Sequence, residues 1–156
     1  MSDKKVWLVT GAGRGLGVDI AKAALAAGHA VVGTGRNPEK VSAAIGEHDD
    51  LLAVKLDVTD PVDGEAAVAA AVDRFGRVDV LVNNAGIGHQ ADFTTSPRER
   101  MMEMVDLNVG TVVDLTSRFL TGMVDRGRGS VINIASTAAF QPLPGLAVYA
   151  ASKSFV

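Results

Sequence analysis

The chain is organised around the stretch Thr10-Gly11-Ala12-Gly13-Arg14-Gly15-Leu16-Gly17. It follows the short apolar run Val6–Val9 and opens an amphipathic segment, so it predicts a strand, a tight turn and a helix. Glycine has no Cβ, which permits strained dihedrals and lets an anion approach the backbone. Free N–H groups and the dipole at the helix start attract a phosphate. The stretch therefore predicts a nucleotide site, although glycine-rich turns also serve as plain connections.

Composition indicates a globular protein of one domain. The chain has 156 residues, 47% of them hydrophobic, which is enough apolar material for a core. It has no cysteine, and its three histidines lack ligand spacing, so no metal site is expected. A net charge of -3 with interspersed signs disfavours nucleic acid and anionic membranes as partners. No apolar run approaches the roughly 20 residues of a bilayer span, and residues 1–5 lead straight into a strand, so a cytoplasmic location is expected.

Predicted strands and helices alternate along the chain. The strands are predicted at residues 6–9, 30–34, 51–56, 78–82 and 130–135. The helices are predicted to begin at the glycine turn, near Pro38, at Pro61 after the N-cap Asp60, at Ser96-Pro97 and near Ala147. This alternation predicts an α/β fold, a Rossmann-like doubly wound parallel sheet in the order 3-2-1-4-5 with helices on both faces. Ligands bind such sheets at the carboxyl ends of the strands.

The longest predicted helix follows the fourth strand. Ser96-Pro97-Arg98-Glu99 has the spacing of a capping box with proline at the first helical position, and the helix is predicted to run to about Asp125. Its apolar face is predicted to carry Met101, Met104, Val105, Val112, Leu115 and Phe119. Asn108 falls among these apolar positions, so its amide is either a satisfied core group or a holder of ordered water.

The end of the second strand selects the cofactor in a dinucleotide-binding domain. A carboxylate there bonds the ribose 2′-hydroxyl of NAD and repels a 2′-phosphate. This chain has Gly35-Arg36 instead, and the planar guanidinium of Arg36 suits a phosphate, with Arg14 as a second contact. The sequence therefore favours NADP(H), with NAD(H) as the alternative. The competing interpretation is that both arginines are simply solvated.

Two further segments carry groups suited to proton transfer. Tyr149 and Lys153 are four residues apart, on one face of a predicted helix, and a neighbouring cation favours the ionised phenol. Tyr149 is therefore a candidate general acid or base. Ser136 follows the fifth strand, where its hydroxyl is available to donate to a substrate oxygen. A serine in this place is also a common turn former, and the tyrosine and lysine alone are a weak signal.

Taken in order, these motifs resemble those of the short-chain dehydrogenases/reductases. The likeness covers essentially the whole chain, and its glycine spacing is similar to that of the family's main branch rather than the extended, sugar-nucleotide epimerase branch. The matching elements are Thr10-Gly11 to Gly17, Asp57, Asn83-Asn84-Ala85-Gly86, Asn108, Ser136, and Tyr149 with Lys153.

The resemblance implies a hydride transfer between NADP(H) and a carbonyl or carbinol carbon. It implies that Tyr149 exchanges a proton with the substrate oxygen, that Ser136 holds this oxygen, and that Lys153 binds the nicotinamide ribose and favours ionisation of Tyr149. Asn108 is implied to anchor a water in the proton relay, and Asp57 and Val58 to flank the adenine. The implied cofactor-binding residues are Gly11, Arg14, Gly15, Leu16, Gly17, Arg36, Asp57, Val58, Asn83, Ala85, Gly86, Tyr149 and Lys153.

The resemblance also implies binding partners and a C-terminal segment that this chain lacks. The partners are a small, apolar alcohol or ketone and further copies of the chain, as a homodimer or homotetramer packed through the long helix and the helix bearing Tyr149. Family members continue with two more strands and a mobile loop over the substrate. The chain is therefore expected to be C-terminally truncated, a single NADP(H)-binding domain over residues 1–156 that ends inside the helix of Tyr149 and Lys153. Its fifth strand is expected to form an uncovered apolar edge through which the isolated chain self-associates.

Two classes of function follow from the sequence. The first is an NADP(H)-dependent oxidoreductase with Tyr149 as general acid or base. The second is a non-catalytic nucleotide-binding remnant or regulatory module that lacks the substrate lid. A methyltransferase with a similar sheet is disfavoured, because a carboxylate rather than Gly35-Arg36 would be expected to bind its ribose.

Overall fold

The computed structural model describes residues 4–58 and 60–156, and the first three residues of the predicted entry into β1 lie outside this part. The strands are β1 (Val6–Val9), β2 (Ala30–Gly35), β3 (Leu51–Lys55), β4 (Val80–Asn83) and β5 (Ser130–Asn133). All are parallel, and their order is β3-β2-β1-β4-β5, as predicted. The helices are α1 (Gly15–Ala26), α2 (Pro38–Ile45), α3 (Pro61–Phe75), α4 (Arg98–Val105), α5 (Thr111–Asp125) and α6 (Ala147–Phe155), with a π-helical turn over Asp106–Gly110 and a 3-10 turn over Thr137–Ala139.

Both faces of the sheet are covered, which confirms the doubly wound architecture. Successive side chains of a strand point to opposite faces, so Leu8 belongs to one apolar cluster and Val9 to the other. The Leu8 cluster contains side chains from α3 and α5, and the Val9 cluster contains side chains from α1 and α2. Near-continuous apolar strands are the expected sequence of a parallel sheet buried on both faces.

Several predicted helix ends are confirmed. The Asp60 carboxylate accepts a hydrogen bond from the Val62 N–H at 2.9 Å and so caps α3. Gly76 ends α3 with a φ of 79°, and Gly28 follows α1 with a φ of 83°; both angles favour glycine. Of the helices in the described part, none is both long and apolar enough to span a bilayer.

The predicted long helix is present as an unbroken run of helical residues from Arg98 to Asp125, but three of its details differ from the prediction. The Ser96 hydroxyl donates to the Asp92 carbonyl at 3.0 Å instead of capping, and Pro97 is the N-cap residue of α4 rather than its first helical residue. A π-helical turn separates α4 from α5. Of the residues predicted on the apolar face, Met104 before the turn and Leu115 after it are buried, whereas Val105 is 37% exposed.

The strands on the β4 side begin and end differently from the prediction. β4 begins at Val80 rather than at residue 78, and the preceding Asp79 makes two hydrogen bonds with the backbone of Val6. β5 ends at Asn133, opposite Asn83, the last residue of β4. Ile132 on β5 is 39% exposed, which confirms an uncovered apolar edge within the described chain. Self-association through this edge stays a prediction.

Candidate active site

The glycine turn is held against the loop that follows β4. The Thr10 hydroxyl accepts hydrogen bonds from the N–H groups of Asn84 and Ala85 at 3.0 and 2.9 Å. The Asn84 side-chain amide returns a bond to the Thr10 carbonyl at 2.8 Å. These bonds fix the carboxyl ends of β1 and β4 together, although sequence reasoning assigned no role to Asn84.

Three positions of the turn each require glycine for a structural reason of their own. Gly11 and Gly15 have φ angles of 66° and 54°, which favour glycine. A Cβ at Gly17 would collide with the Gly11 carbonyl oxygen and lie 2.7 Å from the Asn84 side-chain nitrogen. Arg14 provides no side-chain cap for α1. The turn is thus a cradle without side chains beside uncapped helical N–H groups, a geometry that suits a phosphate.

The predicted cofactor residues after β2 and β3 lie at the same carboxyl edge of the sheet as the glycine turn, and they offer cationic side chains and backbone groups. Arg14 and Leu16 are exposed at the start of α1, and Arg36 is exposed directly after β2. Neither guanidinium has a hydrogen-bond or ion-pair partner among the described residues. Asp57 and Val58 follow β3, where the Asp57 N–H donates to the Asp63 carboxylate and the Val58 carbonyl accepts from the Thr111 hydroxyl.

The predicted cofactor residues after β4 differ in orientation. The Asn83 side chain is buried and donates to the Thr116 hydroxyl at 3.1 Å and to the Asn133 amide oxygen at 2.8 Å, so it joins β4 to α5 and β5. Ala85 lies against the glycine turn, with its Cα 3.2 Å from where a Cβ of Gly11 would stand.

Gly86 brings the same loop to the catalytic candidates. A Cβ at Gly86 would lie 3.1 Å from Asn108 Oδ1 and 3.3 Å from Lys153 Nζ. Two positions further, a Cβ at Gly88 would lie 3.5 Å from two ring carbons of Tyr149. The loop after β4 therefore passes closely over three of the predicted catalytic side chains.

Asn108 occupies the π-helical turn and is 1% exposed. Its amide nitrogen donates to the Ile87 carbonyl and to Ser152 Oγ, both at 2.9 Å, and its oxygen accepts from the Ile87 N–H at 3.0 Å. Of the two interpretations of the sequence, a satisfied core amide describes this side chain. π turns are frequent at functional sites because they displace one residue from the regular helix. A role of Asn108 in holding water stays a prediction.

Tyr149 and Lys153 lie four residues apart on α6, as predicted. Lys153 is only 7% exposed, and its ammonium donates to the Ile134 carbonyl at 2.8 Å. Burial lowers the pKa of Lys153, because removal from water disfavours its charged form. Tyr149 is partly exposed beside Gly88. The pair thus combines a buried cation with an accessible phenol.

Ser136 begins the 3-10 turn that follows β5. Its Oγ accepts a hydrogen bond from the Ala138 N–H at 3.2 Å, so the serine is a turn former, as one interpretation held. Acceptance of that bond leaves the hydroxyl proton free to donate. In the described chain no hydrogen bond joins Ser136 to Tyr149, although both come after β5.

Sequence reasoning missed residues that hold the site through backbone groups or a single hydroxyl. Ile87, Ile134 and Ser152 carry no pattern that marks them, apart from the place of Ser152 between Tyr149 and Lys153. His89, one of the three histidines without ligand spacing, has a buried Nε2 without a partner in the described part of the chain. Over the same ranges, no group of three histidine or acidic side chains is arranged to hold a metal ion.

A glycine cradle after β1 of a 3-2-1-4-5 parallel sheet, with a tyrosine and lysine on α6, is the arrangement of a Rossmann-like dinucleotide-binding fold. The sequence profile of the family described as short chain dehydrogenase matches residues 5–156, and the chain belongs to this family.

Known proteins of the family are similar over nearly the whole chain. An NADP-dependent 3-hydroxy acid dehydrogenase of Salmonella typhi is 38% identical over 156 residues, which cover 96% of this chain and 61% of that protein. An uncharacterized oxidoreductase of Schizosaccharomyces pombe is 38% identical over 147 residues, which cover 94% of this chain and 49% of that protein. The crystal structure of a short-chain dehydrogenase from Streptomyces avermitilis has a TM-score of 0.93 and 40% identity, covering 99% of this chain and 58% of that one. The chain therefore spans about half to three fifths of these relatives.

Proposed function

We propose that this chain is the cofactor-binding and catalytic part of an NADP(H)-dependent oxidoreductase that interconverts an alcohol and a carbonyl compound. The observation that carries this proposal is the convergence of Asn108, Tyr149 and Lys153 on the loop at Gly86 and Gly88. This loop is in turn bonded to the glycine cradle through Thr10. One continuous edge of the sheet thus offers a phosphate site and a proton donor.

The residues divide between holding the cofactor and moving a proton. The glycine cradle and the start of α1 would hold the pyrophosphate, and Lys153 the nicotinamide ribose. When bound, the nicotinamide supplies or accepts the hydride. Tyr149 exchanges a proton with the substrate oxygen, and Ser136 donates a hydrogen bond to that oxygen as charge develops on it. Positive charge on Lys153 favours the ionised form of Tyr149.

The preference for NADP(H) follows from Arg36. No carboxylate stands at the end of β2, and the exposed guanidiniums of Arg36 and Arg14 flank the cradle without partners of their own in the described chain. A guanidinium binds a ribose 2′-phosphate with two hydrogen bonds. The NADP-dependent relative of Salmonella typhi supports this preference.

The proposed substrate is a small alcohol or ketone with apolar substituents. The turn after Ser136 and the following loop carry apolar side chains, among them Ala138, Phe140 and Leu143. Apolar walls around a few polar groups are the usual form of a small-molecule site. The substrate of the Salmonella typhi relative is a 3-hydroxy acid, which is compatible with hydride transfer at a carbinol carbon.

We assign the exposed apolar side chains of α4 and α5 to an interface with a second copy of the chain. These side chains are Met102, Val105, Val113, Leu120 and Val124, exposed by 37 to 67%. A surface cavity of about 380 Å³ between Val105 and Val148 of α6 extends the same surface. Exposed apolar stripes of this kind mark protein contacts.

A nucleotide-binding module without turnover is the second candidate, favoured by the lack, in the described chain, of a hydrogen bond between Ser136 and Tyr149. The two candidates agree on cofactor binding and differ on activity with carbonyl compounds. Binding therefore tests their common part, and oxidation of NADPH by a ketone separates them.

The experiment is a fluorescence titration with NADPH and NADH of the parent chain and of Arg36→Ala. NADPH is expected to bind more tightly, and the variant to lose about 10-fold in affinity for NADPH alone, the value of one charge-assisted contact. Lys22→Ala, which removes an exposed cation from α1, is the matched control and should bind like the parent. Absence of binding to either cofactor would end the proposal for this chain, and equal loss with NADH would end the role of Arg36.

A further inference from the structure

We infer that Ser152 is a positioning residue, which sets the place of Tyr149 relative to the loop over the site. Its buried hydroxyl donates to the Tyr149 carbonyl at 2.8 Å and accepts from the Asn108 amide nitrogen at 2.9 Å. Ser152 is 3% exposed, so water does not compete for either bond. The kinetic part of this inference depends on the proposed function.

The two bonds complete a continuous path from the loop to the catalytic helix. Asn108 binds both the N–H and the carbonyl of Ile87, and Ser152 passes the connection on to the backbone of Tyr149. Gly88, next to Ile87, is the residue that faces the Tyr149 ring. The position of the ring and that of the loop beside it are thus set by one hydrogen-bonded chain.

Removal of the Ser152 hydroxyl would leave one N–H of the Asn108 side-chain amide without an acceptor. The Asn108 amide has two N–H protons, one on the Ile87 carbonyl and the other on Ser152 Oγ. A buried N–H without an acceptor is unfavourable, so Asn108 or the loop at Ile87 would rearrange. Displacements of about 1 Å at reacting groups lower rates by up to about 100-fold.

Ser154 provides a matched control on the same helix. Its hydroxyl also donates to a backbone carbonyl, that of Ala139, at 2.9 Å. Ser154 is exposed and does not contact Asn108. Replacement of either serine by alanine removes one hydroxyl from α6, but only Ser152→Ala breaks the path to Ile87.

The test compares the parent protein with Ser152→Ala and Ser154→Ala by amide hydrogen exchange and by turnover. We expect the Ile87 N–H to exchange about 10-fold faster in Ser152→Ala and at the parent rate in Ser154→Ala. With NADPH and ethyl 3-oxobutanoate, kcat should fall about 10-fold in Ser152→Ala with the dissociation constant of NADPH unchanged. Circular dichroism establishes that each variant is folded, and Ser152→Cys, which keeps a weak acceptor, replaces Ser152→Ala if that variant unfolds.

The outcomes separate this inference from the proposed function. A Ser152 variant that matches Ser154→Ala in both exchange and kcat overturns the inference, and so does a loss of NADPH affinity equal to the loss of kcat. If the parent binds NADPH but reduces no carbonyl compound, the catalytic proposal fails. Exchange at Ile87 still decides the positioning role of Ser152 in that event.

Discussion

Replacement of Asp79 by asparagine should destabilise the fold in a pH-dependent manner. The Asp79 carboxylate accepts from the Val6 N–H at 3.0 Å and from Arg77 Nε at 2.8 and 2.9 Å, and its side chain is 9% exposed. The bond to Val6 ties the start of β4 to β1. An asparagine keeps one acceptor oxygen but turns an NH₂ group toward a second donor.

The expected loss of stability follows from the hydrogen bonds that Asp79 makes with these partners. A buried charge-assisted hydrogen bond contributes about 1.5–3 kcal/mol, whereas the pair with Arg77 contributes under about 1 kcal/mol because that side chain is 32% exposed. We expect Asp79→Asn to lower the free energy of unfolding by about 2–3 kcal/mol at pH 7. Urea unfolding followed by circular dichroism measures this difference, and Asp73→Asn, an exposed position on α3, is the control for loss of one charge.

The direction of the pH dependence follows from the pKa of the Asp79 carboxyl group. Burial alone would raise the pKa of Asp79, but the Val6 N–H and the Arg77 guanidinium outweigh it, so the pKa lies below its ordinary value of 3.8. The stabilisation is therefore present above pH 3.8 and is lost as the pH falls through the lowered pKa. The difference between parent and Asp79→Asn should shrink in that range. A difference that stays constant from pH 7 to pH 2 would refute the electrostatic explanation.

Three further predictions concern the cofactor site and the two exposed surfaces. Gly17→Ala should abolish NADPH binding in the fluorescence titration and lower the free energy of unfolding in urea by about 1–3 kcal/mol, because its Cβ collides with the backbone. The control Gly28→Ala, strained at φ 83° but in open space, should lose stability and keep NADPH binding. Equal NADPH binding by the parent and Gly17→Ala would contradict the proposal that the glycine cradle holds the pyrophosphate. Leu120→Glu, but not Ser117→Glu, should convert a dimer to monomer in ultracentrifugation, and an unchanged mass would remove α5 from the interface. Ile132→Lys should reduce light scattering by the concentrated chain, and a parent that is already a clean monomer would contradict self-association through this edge.

Much of the fold was predictable because it depends on local patterns. Apolar runs separated by helix-forming segments predict a parallel sheet, and the caps Asp60 and Gly76 are local signals read within a few residues. The candidate site was predictable as a set of residues for the same reason. Most of its members follow a strand, and parallel strands end at one edge. Tyr149 and Lys153 share a helix face, and Asn108 stands out as a polar residue among apolar helix positions.

The contacts within the site were not predictable in this way. The capping box at Ser96 has the right letters, but its hydroxyl bonds Asp92. Asn83 and Asn84 are adjacent and alike, yet one joins β5 to α5 and the other holds the glycine turn. Such choices depend on which partner is near in space, and neither residue type nor spacing records that.

The sequence by itself determined the order of the sheet and the place of the glycine turn, because alternating apolar strands and helix-forming segments encode both. It determined the family through the order of its motif residues from Thr10 to Lys153. Only the tertiary structure decided that α4 and α5 are parted by a π turn, that the turn buries Asn108 against Ile87, and that Ser152 links it to Tyr149. These features depend on the satisfaction of buried polar groups. A buried amide takes whichever partners the folded chain brings within about 3 Å, and those partners are far away in sequence.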